Sequence, residues 1–198
     1  MSPRRAISPL AASTLVDMPR LIHLNGPSRV GKSTLARRYV DAHPWTLALD
    51  LDVLAGLIGG WREDFLTTLG MARAHGQAMA TRHLQDGYDV VIPQLVTSFD
   101  RGPWPEEAAD EAGATYVEVA LLVDDHEHLR RLRGKQPTND VEAHIQTRLE
   151  DPDSDLISRI RQHLAEYLAD RPHTIRIDTT GLGEDAAYAR LLNALAGT

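Results

Sequence analysis

A segment near the amino terminus has the residue types and spacing of a phosphate-binding loop. Its residues fit the pattern G-x-x-x-x-G-K-[ST]; they are Gly26, Pro27, Ser28, Arg29, Val30, Gly31, Lys32 and Ser33, and Thr34 follows them. In such a loop the backbone N–H groups surround phosphate oxygens, the lysine bridges the β- and γ-phosphates, and the serine hydroxyl is a ligand of Mg²⁺. A chance match in a chain of this composition has a probability on the order of 10⁻³. We therefore expect residues 26–34 to bind a nucleotide.

Two aspartates after the next apolar run give a second chemical signal. The sequence LDLD at 49–52 places Asp50 and Asp52 at the carboxyl end of a strand predicted over 46–52. Alternate residues of a strand share a face, and ligands of open parallel sheets collect at the carboxyl ends of the strands. Asp50 can then hold Mg²⁺ while Asp52 accepts the proton of an attacking hydroxyl. A solvated strand end, or a helix cap formed by Asp52, is the other interpretation.

Further motifs bear on the class of phosphate chemistry. A GTPase would carry D-x-x-G soon after the loop and a later N-K-x-D, but the chain has no N-K-x-D and its D-x-x-G at 178–181 lies on the last predicted strand. An ATPase would place an acid after a hydrophobic strand, and VALLVDD at 119–125 offers Asp124 for that role. Asp124 and Asp125 are also suited to cap the helix that follows. A P-loop ATPase or nucleotide-dependent switch that uses Asp124 therefore remains the alternative to phosphoryl transfer.

Two regions are candidates for binding a phosphoryl acceptor. Trp61 and Arg62 follow Gly59 and Gly60 between the second and third predicted strands, where an aromatic ring can form the wall of a pocket. Ordinary helix packing is the alternative for these residues. Gln94 ends the third predicted strand, where it can orient an acceptor or simply be a polar residue at a strand end.

The composition limits the class of protein and its partners. The chain has 198 residues, 42% hydrophobic and 25% charged, which fits one globular domain. A net charge of −7 disfavours nucleic acid and anionic membranes as partners. The absence of cysteine excludes a thiol nucleophile and is typical of a reducing compartment, and no apolar run is long enough to span a membrane. We therefore expect a cytoplasmic protein.

Short apolar runs alternate with helical patterns along the chain, which predicts a parallel sheet covered by helices on both faces. The predicted strands are residues 21–26, 46–52, 88–95, 115–123 and 173–178. The predicted helices are residues 31–43, 66–85, 105–113, 125–133, 155–169 and 184–196. Residues 134–154 are polar and predict a helical lid, and residues 1–19 predict a disordered leader. The expected fold is thus one three-layer α/β P-loop NTPase domain over residues 20–198.

The runs LIHLNGPSRVGKST and LALDLDVL resemble the small P-loop kinases of the nucleoside-monophosphate-kinase-like fold. The likeness is strongest to the chloramphenicol phosphotransferase and zeta-toxin-like branch, and the D-x-D at 50–52 is also similar to shikimate kinase. It follows the order of elements over residues 20–197 and is specific at the loop and the two aspartates. The resemblance implies a five-stranded sheet of order 2-3-1-4-5. It also implies that the γ-phosphoryl group of ATP is moved, with Mg²⁺, to a hydroxyl of a small molecule such as an antibiotic, sugar or metabolite.

The same resemblance implies roles for individual residues. Asp52 falls where the phosphotransferase branch has its catalytic base, and Asp50 where shikimate kinase has a carboxylate near Mg²⁺. Arg130 and Arg133 follow the fourth strand, where such kinases carry arginines that stack on adenine or clamp the transferred phosphoryl group. Thr180 lies in the loop after the last strand, where related kinases pack the adenine. Antibiotic inactivation, toxin activity and ordinary metabolism are all compatible with the resemblance.

Overall fold

The computed structural model describes residues 18–100, 103–134, 136–151 and 154–198, so the predicted leader lies almost wholly outside the described residues. The strands are β1 (Arg20–Asn25), β2 (Leu47–Ala48), β3 (Val90–Ile92), β4 (Thr115–Leu122) and β5 (Ile175–Asp178). The helices are α1 (Lys32–Ala42), α2 (Leu51–Gly56), α3 (Phe65–Gln85), α4 (Trp104–Ala112), α5 (Asp125–Gly134), α6 (Asp140–Leu149), α7 (Leu156–Ala169) and α8 (Glu184–Leu195).

The five strands form one parallel sheet in the order β2-β3-β1-β4-β5. This confirms the predicted strand order and fold class. The central pair is β1 with β4, in register from Arg20 opposite Thr115 to Asn25 opposite Ala120. From β1 in the middle of the sheet, the chain goes to β2 and then β3 on one side, and the connection after β3 leads to β4 on the other side. Such a change of direction opens a crevice at the carboxyl ends of the strands, and here that crevice receives the loop after β1.

The alternation of side chains along β1 divides the interior into two different layers. Ile22 and Leu24 point into an apolar core with Tyr39 of α1 and Leu191 of α8. Leu21 points into a second core formed mainly with α3 and α4. Both faces of a parallel sheet are normally apolar, but on this second face β1 also carries His23 and Asn25, both fully buried. A buried polar layer therefore lies directly before the phosphate-binding loop.

The second strand is shorter than predicted, which changes the placement of the two aspartates. β2 ends at Ala48 and lies at the edge of the sheet, paired with β3 alone. Asp50 then caps α2, because its Oδ1 accepts a hydrogen bond of 3.0 Å from the backbone N–H of Asp52. The prediction that Asp50 and Asp52 share one face of a strand was therefore wrong. A carboxylate that can cap a helix ends this weakly paired strand early.

Helix α3 approaches α2 closely at Gly76. A Cβ atom at that position would lie 2.7 Å from Cδ2 of the buried Leu51, so any larger residue would displace the Leu51 side chain. The contact holds the first turn of α2, and with it Asp52, against the body of the domain. None of the helices in the described part of the chain has the length and apolarity to cross a lipid bilayer.

The contact between the loop after β1 and strand β4 makes a testable prediction. A Cβ atom on Gly26 would lie 2.5 Å from the carbonyl oxygen of Leu121, and Gly26 has a φ of +141°. We expect Gly26→Ala to lower the free energy of unfolding by about 3 kcal/mol in urea titrations, because backbone must move and strain is added. Gly59→Ala is the control, since a Cβ there meets nothing within 4 Å, and its expected effect is within about 0.5 kcal/mol. Equal losses in the two variants would contradict this account.

Candidate active site

The phosphate-binding loop is closed by its own lysine. The Nζ atom of Lys32 donates to the carbonyl oxygens of Gly26 and Pro27 at 2.8 and 2.9 Å. Gly31, with φ +113°, turns the chain into α1, whose first turn has no acidic side chain. The positive end of the helix dipole therefore faces the loop without a carboxylate to neutralise it. The loop and helix together have the geometry of an anion site.

Lys32, Ser33 and the two aspartates form one polar cluster. The Ser33 hydroxyl donates to Oδ2 of Asp50 at 3.1 Å, and Asp52 lines the same cavity as Lys32. Burial raises the pKa of Asp52 to about 6, and the negative charge of Asp50 adds to the effect while Lys32 opposes it. Burial lowers the pKa of Lys32 to about 8, against the attraction of both aspartates. Groups that titrate this close to neutrality are suited to proton transfer and to binding of charged ligands.

The oxygen atoms of Ser33 and Asp50 fit the needs of a nucleotide-bound magnesium ion. Mg²⁺ prefers oxygen ligands, and it is usually held by one or two carboxylates together with phosphates and water rather than by a complete protein cage. The described residues contain no cluster of three or more histidine, aspartate or glutamate side chains that could hold a metal alone. A hydroxyl and a carboxylate 3.1 Å apart at the loop fit a magnesium site that takes its remaining ligands from phosphates and water.

Two separate cavities are lined in part by residues of the loop. The α5–α8 cavity, of about 340 Å³, is lined by Arg29, Val30, Gly31, Thr34, Leu35, Arg130, Arg131, Gly134, Thr179, Leu182, Gly183, Glu184 and Ala187. The α3–α6–α7 cavity, of about 300 Å³, is lined by Ser28, Lys32, Asp52, Phe65, Leu66, Leu69, Pro93, Gln94, Leu95, Ile145, Arg148, Leu149, Leu156 and Ile160. The loop contributes residues to both, so any group bound by the loop lies within reach of both cavities.

Arg131 organises the α5–α8 cavity. Its guanidinium donates to the carbonyl oxygen of Val30 at 3.2 Å and to that of Thr179 at 2.7 Å, which ties α5 to the loop and to the segment after β5. Arg130 also lines this cavity, but it is ion-paired with Glu127 at 2.6 Å. Sequence reasoning considered all three arginines of this turn and favoured Arg130 and Arg133 over Arg131. Helical spacing alone does not distinguish three arginines within one turn, because the answer depends on what α5 packs against.

Several predicted site residues lie elsewhere. Arg133 is exposed and, among the described residues, is not part of the lining of either cavity. Thr180 accepts a hydrogen bond from the backbone N–H of Asp124 at 2.9 Å, and its neighbour Thr179 lines the α5–α8 cavity in its place. Asp124 accepts from the backbone N–H of Glu127 at 2.7 Å and so caps α5. The helix-cap interpretation of Asp124 thus has direct structural support.

Helix α6 contacts the loop through charged and polar side chains. Arg29 has a φ of +65°, and its guanidinium donates to Oε1 of Gln146 at 2.7 Å and lies 3.8 Å from Glu142. Arg62 forms an ion pair with Asp140 at the start of the same helix. These contacts connect α6, which lies within the predicted lid, to the loop and to the segment between α2 and α3.

The residues predicted to form the acceptor pocket divide into two groups. Gln94 lines the α3–α6–α7 cavity with Asp52. Trp61 is buried, and its ring is nearly perpendicular to that of His144 on α6, with the ring centres 5.8 Å apart. The guanidinium of Arg62 lies 4.3 Å from the centre of the Trp61 ring. Within the described residues, neither Trp61 nor Arg62 belongs to the cavity lining. They connect the segment before α3 to α6 instead.

The buried amide of Asn25 joins the loop to the segment after β3. Its Oδ1 accepts from the backbone N–H groups of Gly26 at 2.7 Å and Val96 at 3.0 Å. Its Nδ2 donates to the carbonyl oxygen of Val96 at 3.0 Å and to Glu118 at 2.9 Å. All four hydrogen-bonding positions of the amide are therefore used. The backbone of Val96 is paired almost as it would be by another strand.

His23 and Glu118 continue this buried polar layer. Nε2 of His23 lies 2.9 Å from the carbonyl oxygen of Gln94, which can only accept, so Nε2 carries the proton. Burial acts to raise the pKa of Glu118, but His23 and hydrogen bonds from Thr174, Asn25 and Arg171 hold that pKa below its ordinary value. The layer fixes the backbone of residues 94–96 relative to the loop, and Gln94 and Leu95 of this segment line the α3–α6–α7 cavity. Sequence reasoning gave no signal for it, since each residue is far from its partners in the chain.

The comparisons with known proteins agree with this architecture. A family model described as AAA domain matches residues 21–152, more than half of the chain. No curated protein matches the sequence. Among solved structures, the chain is similar to a candidate kinase from Chloroflexus aurantiacus J-10-fl, with a TM-score of 0.63 and 15% identity over 91% of this chain and 98% of that one.

Two further solved structures share the same fold. The Deinococcus radiodurans tunicamycin resistance protein gives a TM-score of 0.58 and 18% identity over 89% of this chain and 95% of that one. Shikimate kinase from Bacteroides thetaiotaomicron gives 0.56 and 15% identity over 89% and 98%. The chain therefore has the fold of the P-loop kinases.

The role of Asn25 can be tested by removing its amide. Asn25→Ala leaves two backbone N–H groups, one carbonyl oxygen and a buried carboxylate without that partner. We expect the free energy of unfolding to fall by about 3 kcal/mol in urea titrations. Asn139→Ala is a matched control that removes the exposed cap of α6, with an expected loss of about 1 kcal/mol. Losses of the same size would show that Asn25 is not a central support of the site.

Proposed function

The chain belongs to the AAA domain family, and we propose that it is a phosphotransferase that moves the γ-phosphoryl group of ATP to a hydroxyl of a small molecule, with Mg²⁺. The observation that carries this proposal is that residues of the loop line two separate cavities, one of which is also lined by Asp52 and Lys32. A transferase must bind a donor and an acceptor on either side of the transferred group, whereas hydrolysis needs a single nucleotide site and water. The fold shared with P-loop kinases supports the same assignment.

The α5–α8 cavity is the proposed site of the nucleoside, and the loop residues 26–34 bind the phosphates. Arg131 and Arg130 lie beside the nucleoside, where a guanidinium can stack on a base or neutralise phosphate charge. Ser33 and Asp50 would hold Mg²⁺, which would neutralise negative charge on the phosphates. The predicted roles of Arg133 and Thr180 at the nucleotide stay predictions.

The proposed transfer step gives a role to the polar side chains of the α3–α6–α7 cavity. The acceptor oxygen attacks the γ-phosphorus, an O–P bond forms, and the bond from that phosphorus to the oxygen bridging to the β-phosphate breaks, which releases ADP. The proton of the acceptor hydroxyl passes to the carboxylate of Asp52. The ammonium of Lys32 stabilises negative charge on the transferring group, and Gln94 orients the acceptor.

We assign residues 134–154 as the lid over this site. Arg29 binds α6 from within the phosphate loop, so binding of phosphate at the loop and docking of α6 involve the same segment of chain. Glu142 of α6 also contributes to the raised pKa of Asp52. A docked lid excludes water from the transferring group and favours transfer over hydrolysis. In this proposal Trp61 and Arg62 hold α6 in place and do not form a wall of the acceptor pocket.

The ATPase alternative has less support in the structure. Asp124 is engaged as the cap of α5, and the carboxylate that lines a cavity together with Lys32 is Asp52. The placement within the chloramphenicol phosphotransferase and zeta-toxin-like branch, and the cytoplasmic location, stay predictions.

Replacement of the proposed base separates chemistry from folding. Asp52→Asn should abolish acceptor-dependent ADP release, measured with a coupled assay, while ATP binding measured by calorimetry is retained. The folded-state pKa of Asp52 is raised, so its ionised form costs stability as pH rises through about 6. The variant should therefore be more stable than the parent protein by about 2 kcal/mol at pH 8. Unchanged transfer by a correctly folded Asp52→Asn variant would exclude Asp52 as the base.

The pH dependence of kcat/KM for ATP provides an independent check, because this parameter reports ionisations of the enzyme before ATP binds. Activity should fall below about pH 6, where Asp52 becomes protonated, and above about pH 8, where Lys32 loses its proton. At saturating ATP the phosphates favour the charged lysine, so the alkaline limb of kcat should move to higher pH. A flat profile between pH 5 and 7 would contradict the role of Asp52.

A further inference from the structure

We infer that the acceptor is a hydroxyl compound with a predominantly apolar body rather than a sugar or another polyol. The inference rests on the proposed function and concerns the substrate class of the α3–α6–α7 cavity. It comes from the chemistry of the cavity walls, which are built from different elements than the catalytic groups.

Three helices supply apolar walls. Leu69 of α3, Ile145 of α6 and Ile160 of α7 line the cavity, each from a separate element. The reacting groups Lys32 and Asp52 belong to α1 and α2. An acceptor that presents its hydroxyl to Asp52 must therefore place the rest of its body among aliphatic side chains.

The polar groups of the cavity are too few for a polyol. Apart from the loop and the catalytic pair, the described lining offers the side chains of Gln94 and Arg148. Each sugar hydroxyl taken from water into this space without a partner carries the full cost of its lost hydration. An apolar body gains free energy from the same transfer in proportion to the area it buries. The cavity therefore discriminates by the number of hydroxyls on the acceptor.

The size of the cavity sets a limit on the acceptor. Its volume of about 300 Å³ lies at the lower end of the range for small-molecule pockets, so a six-carbon chain or ring is a suitable probe. Leu66 lines the cavity although 71% of its surface is exposed. Substitution of Leu66 thus changes the cavity wall without removing a core side chain.

Two matched pairs of alcohols test the inference. Hexan-1-ol and sorbitol have the same number of carbons in a chain, and cyclohexanol and myo-inositol have the same ring, but the members of each pair differ in the number of hydroxyls. We expect kcat/KM for ADP release with ATP and Mg²⁺ to be higher for hexan-1-ol and cyclohexanol by on the order of 100-fold. A preference for sorbitol or myo-inositol would overturn the inference and leave the phosphotransferase function standing.

Binding measurements distinguish the two levels of the proposal. Calorimetry with the same four compounds is carried out on the wild-type protein in the presence of Mg²⁺ and a non-hydrolysable ATP analogue. Binding of the two mono-alcohols without any transfer from ATP would support the cavity assignment and contradict the proposed function. If neither mono-alcohol binds, the inferred substrate class is wrong.

Two leucine variants test whether the acceptor binds in the α3–α6–α7 cavity. Leu66→Gln should raise KM for hexan-1-ol by about tenfold and leave KM for ATP unchanged. Leu57→Gln is the matched control, because Leu57 is 78% exposed and, among the described residues, is not part of the cavity lining. Equal effects of the two substitutions on KM for hexan-1-ol would place the acceptor outside this cavity.

Discussion

The arrangement of the whole site depends on one buried amide. Asn25 is the last residue of the central strand, and its side chain holds both the first N–H of the phosphate loop and the backbone of Val96. A buried polar group is stable only when its hydrogen bonds are made, so the amide fixes these two segments in a single relative position. Glu118 supplies its remaining partner and is itself held by Arg171 and Thr174 at 2.9 and 2.7 Å. Buried side chains of the sheet therefore fix the position of the segment around Val96 beside the loop.

The same burial that orders the loop also tunes its chemistry. Lys32 and Asp52 are both buried. Burial lowers the pKa of the Lys32 ammonium and raises the pKa of the Asp52 carboxyl, so the two values lie closer together. Each group partly offsets the shift of the other through its charge. A carboxyl in this condition is less stable when ionised and more ready to accept a proton. Reactivity and a local loss of stability are thus two consequences of one desolvated position.

The sequence was sufficient wherever the signal was local. The phosphate loop is a continuous run whose glycines and lysine have fixed spacing, and the alternation of apolar runs predicted the parallel sheet. The confirmed strand order was implied by the resemblance to the P-loop kinases and not by the local pattern. The boundary between β2 and α2 was missed, because a two-residue edge strand competes with a helix cap at Asp50. Trp61 and Arg131 illustrate the same limit. Their partners lie on α6 and after β5, and no local pattern records which of several similar side chains will face them.

The apolar walls beside Asp52 also bear on the choice between transfer and hydrolysis. An ordered water needs several polar partners, and beyond the catalytic pair this cavity offers few of them among the described residues. In the proposed function, an apolar acceptor displaces such water as it enters and brings its own hydroxyl to the carboxylate of Asp52. The hydrolytic reaction then loses its nucleophile at the moment when the transfer reaction gains one. A cavity of this chemistry therefore favours the transferase through exclusion of water as well as through recognition of the acceptor.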